Sequence, residues 1–219
     1  MFASNVERWL WWDWIGRNTD LIASSLREHV ILTLWAVGLG LVIALPLGVA
    51  ANRWRRLYGP ALVVTGVLFT IPSLAAFAFL IPYTGLNRTT ALIPLTSYTL
   101  LILLRNVVAG LDSVPAEIKD AADGMGFSRL RRLVRIELPL ALPAIMAGIR
   151  IATVTIIGLA AVAGLLAIPS LGNLIYVGQN RPIRTAVTVG VVLSIALAVV
   201  ADVLLALVQR ALTPWARRR

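Results

Sequence analysis

Half of the acidic residues in this sequence, and its only lysine, lie in one polar segment, residues 112–137. The chain has no cysteine and a single histidine, His29, so it offers neither thiolates nor a histidine cluster to a metal ion. The lysine, Lys119, precedes Asp120, whereas a phosphate-binding loop needs a lysine that follows glycines and precedes Ser or Thr. We find no nucleophile paired with a base. The chain is therefore predicted not to be an enzyme and to hold no metal.

The polar segment carries the signals of two short helices separated by a turn. Its first helix is expected to open with a serine N-cap and a proline in the first turn, and to end at two glycines. A second serine is placed to cap a basic amphipathic helix, RLRRLVRIEL, and a proline is expected to mark the start of the next apolar stretch. These boundary residues are Ser113, Pro115, Gly124, Gly126, Ser128 and Pro139. A compact, ordered loop of this kind favours docking to a cytoplasmic protein.

The elements that position this loop are predicted to be membrane helices. The composition is 59% hydrophobic and 14% charged, against roughly 25% charged residues in a soluble domain. A bilayer core requires about 20 apolar residues per helix, because lipid satisfies no backbone amide. The sequence predicts an all-α, polytopic bundle of five spans with the polar loop between the third and the fourth. The predicted spans are 27–51, 60–80, 90–111, 139–163 and 184–208.

The distribution of arginine and lysine predicts the orientation of the bundle. The net charge is +10, and five spans place thirteen positive residues on one side and six on the other. The richer side is expected to be cytoplasmic, so the N-terminus is predicted outside and the C-terminus inside. We divide the chain into a Trp-rich segment (1–26), a transmembrane domain (27–209) with the loop at 112–138, and a basic tail (210–219). The Trp-rich segment is expected either to lie at the outer membrane surface or to pack on the bundle.

Away from the first residues of the predicted spans, three charges fall inside them: Arg105 near the end of the third, Arg150 in the fourth and Asp202 in the fifth. Asp202 is expected to pair with an arginine such as Arg105 or to reach interfacial water, and Arg150 to act in helix packing or at the interface. Because buried carboxylates in membranes are costly and often functional, a proton-coupled secondary carrier is an alternative. Such carriers usually contain inverted repeats, and we find none.

The polar segment also has the spacing of a known signature. It reads Asp120-Ala121-Ala122, three residues, Gly126, nine residues, and Ile136-Glu137-Leu138-Pro139. This resembles the cytoplasmic loop Glu-Ala-Ala…Gly…Ile-x-Leu-Pro in permease subunits of bacterial ATP-binding cassette importers, with aspartate in place of the glutamate. The following stretch, LPLALPAIMAGIRIATVTIIGLA, is similar to permeases for the osmoprotectants glycine betaine, choline, carnitine and proline betaine.

The resemblance implies a function and a set of partners. The chain would be one of two permease subunits, identical or related, in a bacterial inner membrane. A separate ATPase would hold ATP and Mg, an extracytoplasmic binding protein would deliver the solute, and this chain would hold no cofactor and bind no nucleic acid. An amino-acid importer of the same superfamily and a membrane scaffold are alternatives, besides the secondary carrier.

The resemblance also assigns roles to residues. The short helix of the loop would dock into a groove of the ATPase, and the residues at its far end would join the loop to the fourth span. Polar residues inside the spans are the candidates for a translocation path. The docking residues are Glu117, Asp120, Ala121, Ala122 and Gly126; the junction residues are Ile136, Leu138 and Pro139; the path residues are Asn106, Thr153 and Thr155.

Overall fold

The structure is a computed structural model that describes residues 9–181 and 183–217. Within these residues the secondary structure is helical, without strands. The ten α-helices are α1 (Trp12–Arg17), α2 (Thr19–Arg53), α3 (Arg55–Thr70), α4 (Ser73–Thr84), α5 (Arg88–Asp112), α6 (Ala116–Gly124), α7 (Arg129–Arg132), α8 (Leu138–Ala163), α9 (Gly172–Asn180) and α10 (Arg184–Leu212). A π-helical segment, Leu133–Glu137, joins α7 to α8, and short 3-10 turns follow α8 and α10.

The core is formed by α2, α5 and α8, which pack along one another. Leu32 of α2, Leu95 of α5 and Ile156 of α8 are all essentially inaccessible to solvent in one cluster. A Cβ atom on Gly148 of α8 would lie 2.5 Å from the Cβ of Asn106, so these two helices approach as closely as a glycine allows. Small residues thus serve helix packing, and the polar loop emerges from one end of this core.

Four of the described helices are long and apolar enough to cross a membrane by themselves. They contain the predicted spans 27–51, 90–111, 139–163 and 184–208. The first of them, α2, begins at Thr19, so it extends into the predicted N-terminal segment. The prediction of apolar helices in these four places is confirmed.

The second predicted span, 60–80, is wrong as a continuous helix. The chain bends by 88° between α3 and α4, and the pair forms a fifth span only if both halves cross together. Ile71 has an extended backbone (ψ 125°), because a residue before proline disfavours the helical region, and Pro72 has no N–H to donate. The hydroxyl of Tyr98 donates to the carbonyl of Ile71 at 2.9 Å, so a neighbouring helix satisfies the freed oxygen.

The chain between α8 and α10 folds as a half-length element, in line with the broken pattern of its sequence. After a 3-10 turn, Ala167 adopts a positive φ of 58°, and α9 then packs against α8 and α10. The N-terminal α1 lies on the same region: Trp14 is buried against Leu171 and Leu174, whereas Trp12 is 73% exposed. Part of the Trp-rich segment therefore packs on the bundle, and its first eight residues lie outside the described part of the chain.

Candidate functional site

The site predicted from the sequence is the short helix α6 with the turn that follows it. Ser113 ends α5 instead of capping α6, since its hydroxyl donates to the carbonyl of Gly110 at 2.7 Å. Pro115 occupies the N-cap position of α6 and Ala116 begins the helix. The prediction of a short helix here is correct, but its expected serine cap is wrong, because α5 continues to Asp112 and uses the serine at its own end.

The turn after α6 requires a glycine at one position. Gly126 has a φ of +79°, a conformation that side-chain-bearing residues rarely adopt. The N–H of Phe127 donates to the carbonyl of Ala122 at 3.1 Å. The N–H of Gly126 donates to the carbonyl of Asp123 at 3.0 Å. These two bonds form a Schellman motif, which closes the helix with glycine at the left-handed position. Gly126 therefore fixes the direction in which the chain leaves α6.

Charged side chains hold α6 against the bundle. The ammonium group of Lys119 donates to the carbonyl of Leu111 at 3.2 Å, at the end of α5. Arg132 contacts two carboxylates: it pairs with Asp123 on α6, and its Nε donates to Oε1 of Glu137 at 2.7 Å. The Glu137 side chain is 8% exposed, so this second pair is nearly enclosed. The helix is thus braced from its middle, at Lys119, and near its C-terminal end, at Asp123.

The surface that α6 presents is partly acidic and partly apolar. Glu117, Asp120 and Ala121 are exposed, whereas Ala122 is fully buried toward the chain itself. Of the two alanines in the motif, one therefore faces a potential partner and the other packs inward. We name the exposed part of this loop the α6 surface; it comprises Glu117, Ile118, Asp120, Ala121, Met125 and Leu130.

The three apolar members of the α6 surface were not predicted from the sequence. Met125 is 68% exposed, Leu130 is 71% exposed and Ile118 is 38% exposed. Large apolar side chains exposed among charges are typical of a protein–protein contact. A signal was present in the sequence, since these side chains occur within the charged loop and outside the predicted spans.

The junction between the loop and the next span is a continuous helix. A single helical run extends from Arg129 to Leu166, so the separate amphipathic helix expected before Pro139 is wrong. Ser128 does cap this run, as its hydroxyl accepts the N–H of Arg131 at 3.4 Å. The predicted junction residues Ile136 and Leu138 lie within the helix, at a π-helical turn. Here the N–H of Leu138 donates to the carbonyl of Leu133.

The three predicted path residues do not lie together. Asn106 packs against Gly148 at the contact of α5 and α8. Thr153 is buried beside a groove between α2 and α10, and Thr155 is half-buried on another face of α8. The hydroxyl of each threonine donates to the carbonyl four residues earlier in its own helix. The structure assembles no site from these three side chains.

The carboxylate inside the last span pairs with an arginine that the sequence did not single out as its partner. Nε and Nη2 of Arg150 donate to the two carboxylate oxygens of Asp202 at 2.9 and 2.8 Å. The predicted pairing of Asp202 with an arginine is therefore correct. The example given, Arg105, is wrong, because it is exposed elsewhere on α5. The pair joins α8 to α10.

His29, the lone histidine, lies near the start of the first predicted span, where a polar residue is expected to reach the membrane interface. That expectation is wrong, because His29 is buried and connects helices. His29 is fully buried, and its Nδ1 accepts the N–H of Leu171 at 3.2 Å. Its Nε2 lies 3.1 Å from the carbonyl of Ile157, so Nε2 carries the proton of a neutral ring and donates it. One side chain thereby ties α2 to α8 and to the start of α9.

The helical fold matches a known family of membrane transport proteins. The family described as "Binding-protein-dependent transport system inner membrane component" matches residues 36–214. The chain belongs to this family and is a permease subunit of an ATP-binding cassette importer. Proteins of this family are the membrane components of transport systems and not the catalytic components.

Among individual proteins, the chain is similar to permeases named for osmoprotectants. The chain is 36% identical over 192 residues to the choline transport system permease protein OpuBB of Bacillus subtilis, with 88% of each chain covered. It is 36% identical over 187 residues to the glycine betaine/carnitine/choline permease OpuCB of the same organism, covering 85% of this chain and 86% of the relative. The osmoprotectant import permease OsmW of Salmonella typhimurium is also 36% identical, over 90% of this chain and 94% of the relative.

Solved structures share the fold. A chain of the MetNI methionine ABC transporter in an inward-facing conformation matches with a TM-score of 0.79 at 22% identity. The match covers 90% of this chain and 98% of that one. An amino acid ABC transporter matches with a TM-score of 0.70 at 17% identity, over 92% of this chain and 99% of that one. The arrangement of helices described above is thus that of an importer permease.

Proposed function

We propose that this permease subunit imports quaternary-amine osmoprotectants: glycine betaine, choline, carnitine or proline betaine. The observation that carries the proposal is the similarity to osmoprotectant permeases over most of their length. A binding protein outside the cell would deliver the solute to a pair of permease subunits. The inner membrane would hold them with N-termini outside and C-termini in the cytoplasm, as the arginine distribution favours.

Uptake competition tests the substrate class. Cells that express the complete importer take up labelled glycine betaine, and each unlabelled candidate is added in hundredfold excess. We expect at least one of choline, carnitine and proline betaine to reduce uptake at least tenfold, and methionine or histidine to leave it unchanged. Competition by an amino acid alone would assign the chain to the amino-acid importers.

The α6 surface is proposed to dock with the ATPase subunit. Its support is the braced position of α6, the exposed carboxylate of Asp120, the small exposed side chain of Ala121, and the exposed apolar side chains of Met125 and Leu130 in the same loop. A thin helix face enters a cleft, a carboxylate meets a basic residue, and desolvated apolar groups stabilise the contact. Hydrolysis in the ATPase, with ATP and Mg bound there, would then move α6 and tilt the spans as rigid bodies.

A bulky substitution tests the docking. Ala121→Trp is expected to reduce capture of the ATPase by the permease at least tenfold, because the indole blocks a close approach. Ala116→Trp is the matched control, since Ala116 is also exposed but begins the helix, about 140° around it from Ala121. Equal capture by both variants and the wild type would refute docking through this face.

A further inference from the structure

The ion pair between α8 and α10 lies deep in two apolar helices. Arg150 follows Leu138, the first residue of α8, by twelve positions, and Asp202 precedes Leu212, the last residue of α10, by ten. At 1.5 Å per residue these separations are about 18 and 15 Å. The flanking sequence is uncharged over 151–180 and 185–201. The pair is therefore placed near the middle of the bilayer.

The two charged side chains are nevertheless partly exposed in the single subunit. The side chain of Arg150 is 31% exposed and that of Asp202 is 39% exposed. They face an open cavity of about 540 Å³, which is also lined by the half-buried, hydroxyl-bearing Thr155. Charged side chains at this depth face the interior of a bundle or water, because contact with lipid tails is too costly.

The opposite side of α10 is apolar, so it suits contact with lipid or with other apolar helices. Val200 lies two residues from Asp202, about 200° around the helix, and is 53% exposed. It lines a groove of about 430 Å³ between α2, α8 and α10, whose lining contains no charged residue. The polar face and the apolar face of α10 are thus at the same depth and differ in chemistry.

We propose that Arg150, Asp202 and Thr155 line the water-filled translocation path of the assembled importer, on the face of this subunit that meets the second permease subunit. The second subunit closes the open cavity from the other side. This inference rests on the importer function proposed above and adds to it the residues that contact the moving solute.

The paired charges have a consequence for the solute. With both residues present the path carries no net charge. The guanidinium of Arg150 attracts a carboxylate of the solute, and the carboxylate of Asp202 attracts an ammonium group of the solute. Such a lining admits zwitterions and small cations. An unpaired Arg150 would make the path positive and repel cations. The Nη1 of Arg150 is also 3.4 Å from Oε1 of Gln209, whose amide donates to the carbonyl of Pro143, so the guanidinium is held in place.

Single-cysteine labelling tests the placement, since the natural chain has no cysteine. Thr155→Cys is nearly isosteric, and Val200→Cys is the matched control at a similar depth. Membranes containing the complete importer are treated with a water-soluble cationic methanethiosulfonate. We expect the cysteine at 155 to react at least tenfold faster than the cysteine at 200. Equal rates, or no reaction at 155, would overturn the proposal.

The same variants report on transport. Modification at 155 is expected to reduce ATP-driven uptake at least fivefold, and treatment of the Val200→Cys variant to leave uptake unchanged. Labelling requires no knowledge of the solute, so a wrong substrate class leaves the labelling result intact. Fast labelling at 155 without loss of uptake would place the residue in water but outside the path, and this too would overturn the proposal.

Discussion

Gly126 and Ala121 illustrate how single residues shape the loop that is proposed to dock with the ATPase. Gly126 supplies a backbone conformation, a φ of +79°, and has no neighbour against which a Cβ would collide. Ala121 supplies a small exposed surface on α6. One residue therefore sets the direction of the chain and the other the thickness of the helix face, and substitutions at the two positions should fail for different reasons.

Gly126→Val is expected to reduce transport at least tenfold while leaving membrane insertion intact. A β-branched residue in the left-handed region costs about 1–2 kcal/mol or rearranges the turn. Gly126→Asn should retain most activity, because asparagine tolerates this conformation. The measurement is uptake per inserted permease.

Gly124→Ala serves as the control for that series. Gly124 is the last residue of α6, and a Cβ atom added to it would have no neighbouring atom within 4 Å, so alanine fits there. Wild-type uptake is expected. If Gly126→Val were as active as Gly124→Ala, the turn would not be needed for function.

At the residue scale, the sequence predicts the loop better than it predicts the ion pairs. The glycine turn at Gly126 is predicted correctly, because turn signals are local. The serine cap at Ser113 is wrong, and the docking roles of Asp120 and Ala121 stay predictions from the resemblance. The partner of Asp202 is fifty-two residues away on another helix. Its identity depends on how α8 and α10 are rotated against each other, which periodicity does not determine.

At the scale of elements, polar contacts fix the relative positions of helices that apolar packing alone does not set. His29 joins α2, α8 and the start of α9, and Arg132 joins α6 to the π-helical segment. Apolar contacts are non-directional, whereas these hydrogen bonds have fixed geometry. They specify how the elements sit against the three-helix core.

Removing the histidine should loosen α9. His29→Leu leaves the N–H of Leu171 without its acceptor in a buried site, at a cost of about 1–3 kcal/mol. His29→Asn retains an acceptor oxygen near the position of Nδ1. We expect the midpoint of thermal unfolding in detergent to fall more for Leu than for Asn. An equal fall would show that ring packing, not hydrogen bonding, is what His29 contributes.

The pair of Arg132 and Glu137 should respond to single and double replacement differently. Arg132→Leu strands the nearly buried carboxylate of Glu137 and is expected to cost about 3 kcal/mol. The double variant Arg132→Leu, Glu137→Leu removes that unpaired charge and should recover most of the loss. Thermal unfolding of both variants measures the difference. A double variant less stable than the single one would contradict this account.

The sequence predicts helix boundaries correctly where the apolar pattern is continuous. The predictions are wrong where a proline or a π-helical turn changes the backbone. Apolar length located α2, α5, α8 and α10. The 88° bend after α3 was missed, because Pro72 alone does not reveal whether a helix kinks or breaks. Pro139 is predicted to separate two helices, but the helix continues through it. The π-helical turn just before Pro139 accommodates the proline, and the sequence does not reveal this turn.

At the scale of the whole molecule, the bent pair of α3 and α4 decides the topology. The helices have 16 and 12 residues, or about 24 and 18 Å. Each is shorter than the hydrocarbon core of about 30 Å. If the pair crosses, the chain has five spans and its ends lie on opposite sides; if it re-enters, the chain has four.

We predict that the pair crosses, as the arginine distribution indicates. Trp54→Cys and Leu86→Cys place single cysteines at exposed positions on either side of the pair. In right-side-out vesicles an impermeant thiol reagent should label the cysteine at 86 and leave that at 54 unreacted. Lysed vesicles provide the control in which both react. Labelling of both, or of neither, in intact vesicles would support a re-entrant pair.

The central claim is that this chain moves an osmoprotectant with energy from a separate ATPase. The most direct measurement is uptake of labelled glycine betaine by proteoliposomes that contain the permease, its ATPase and its binding protein. The account predicts uptake that requires ATP at the ATPase side and persists when a protonophore removes the proton gradient. Uptake that proceeds without ATP and stops with the protonophore would contradict it.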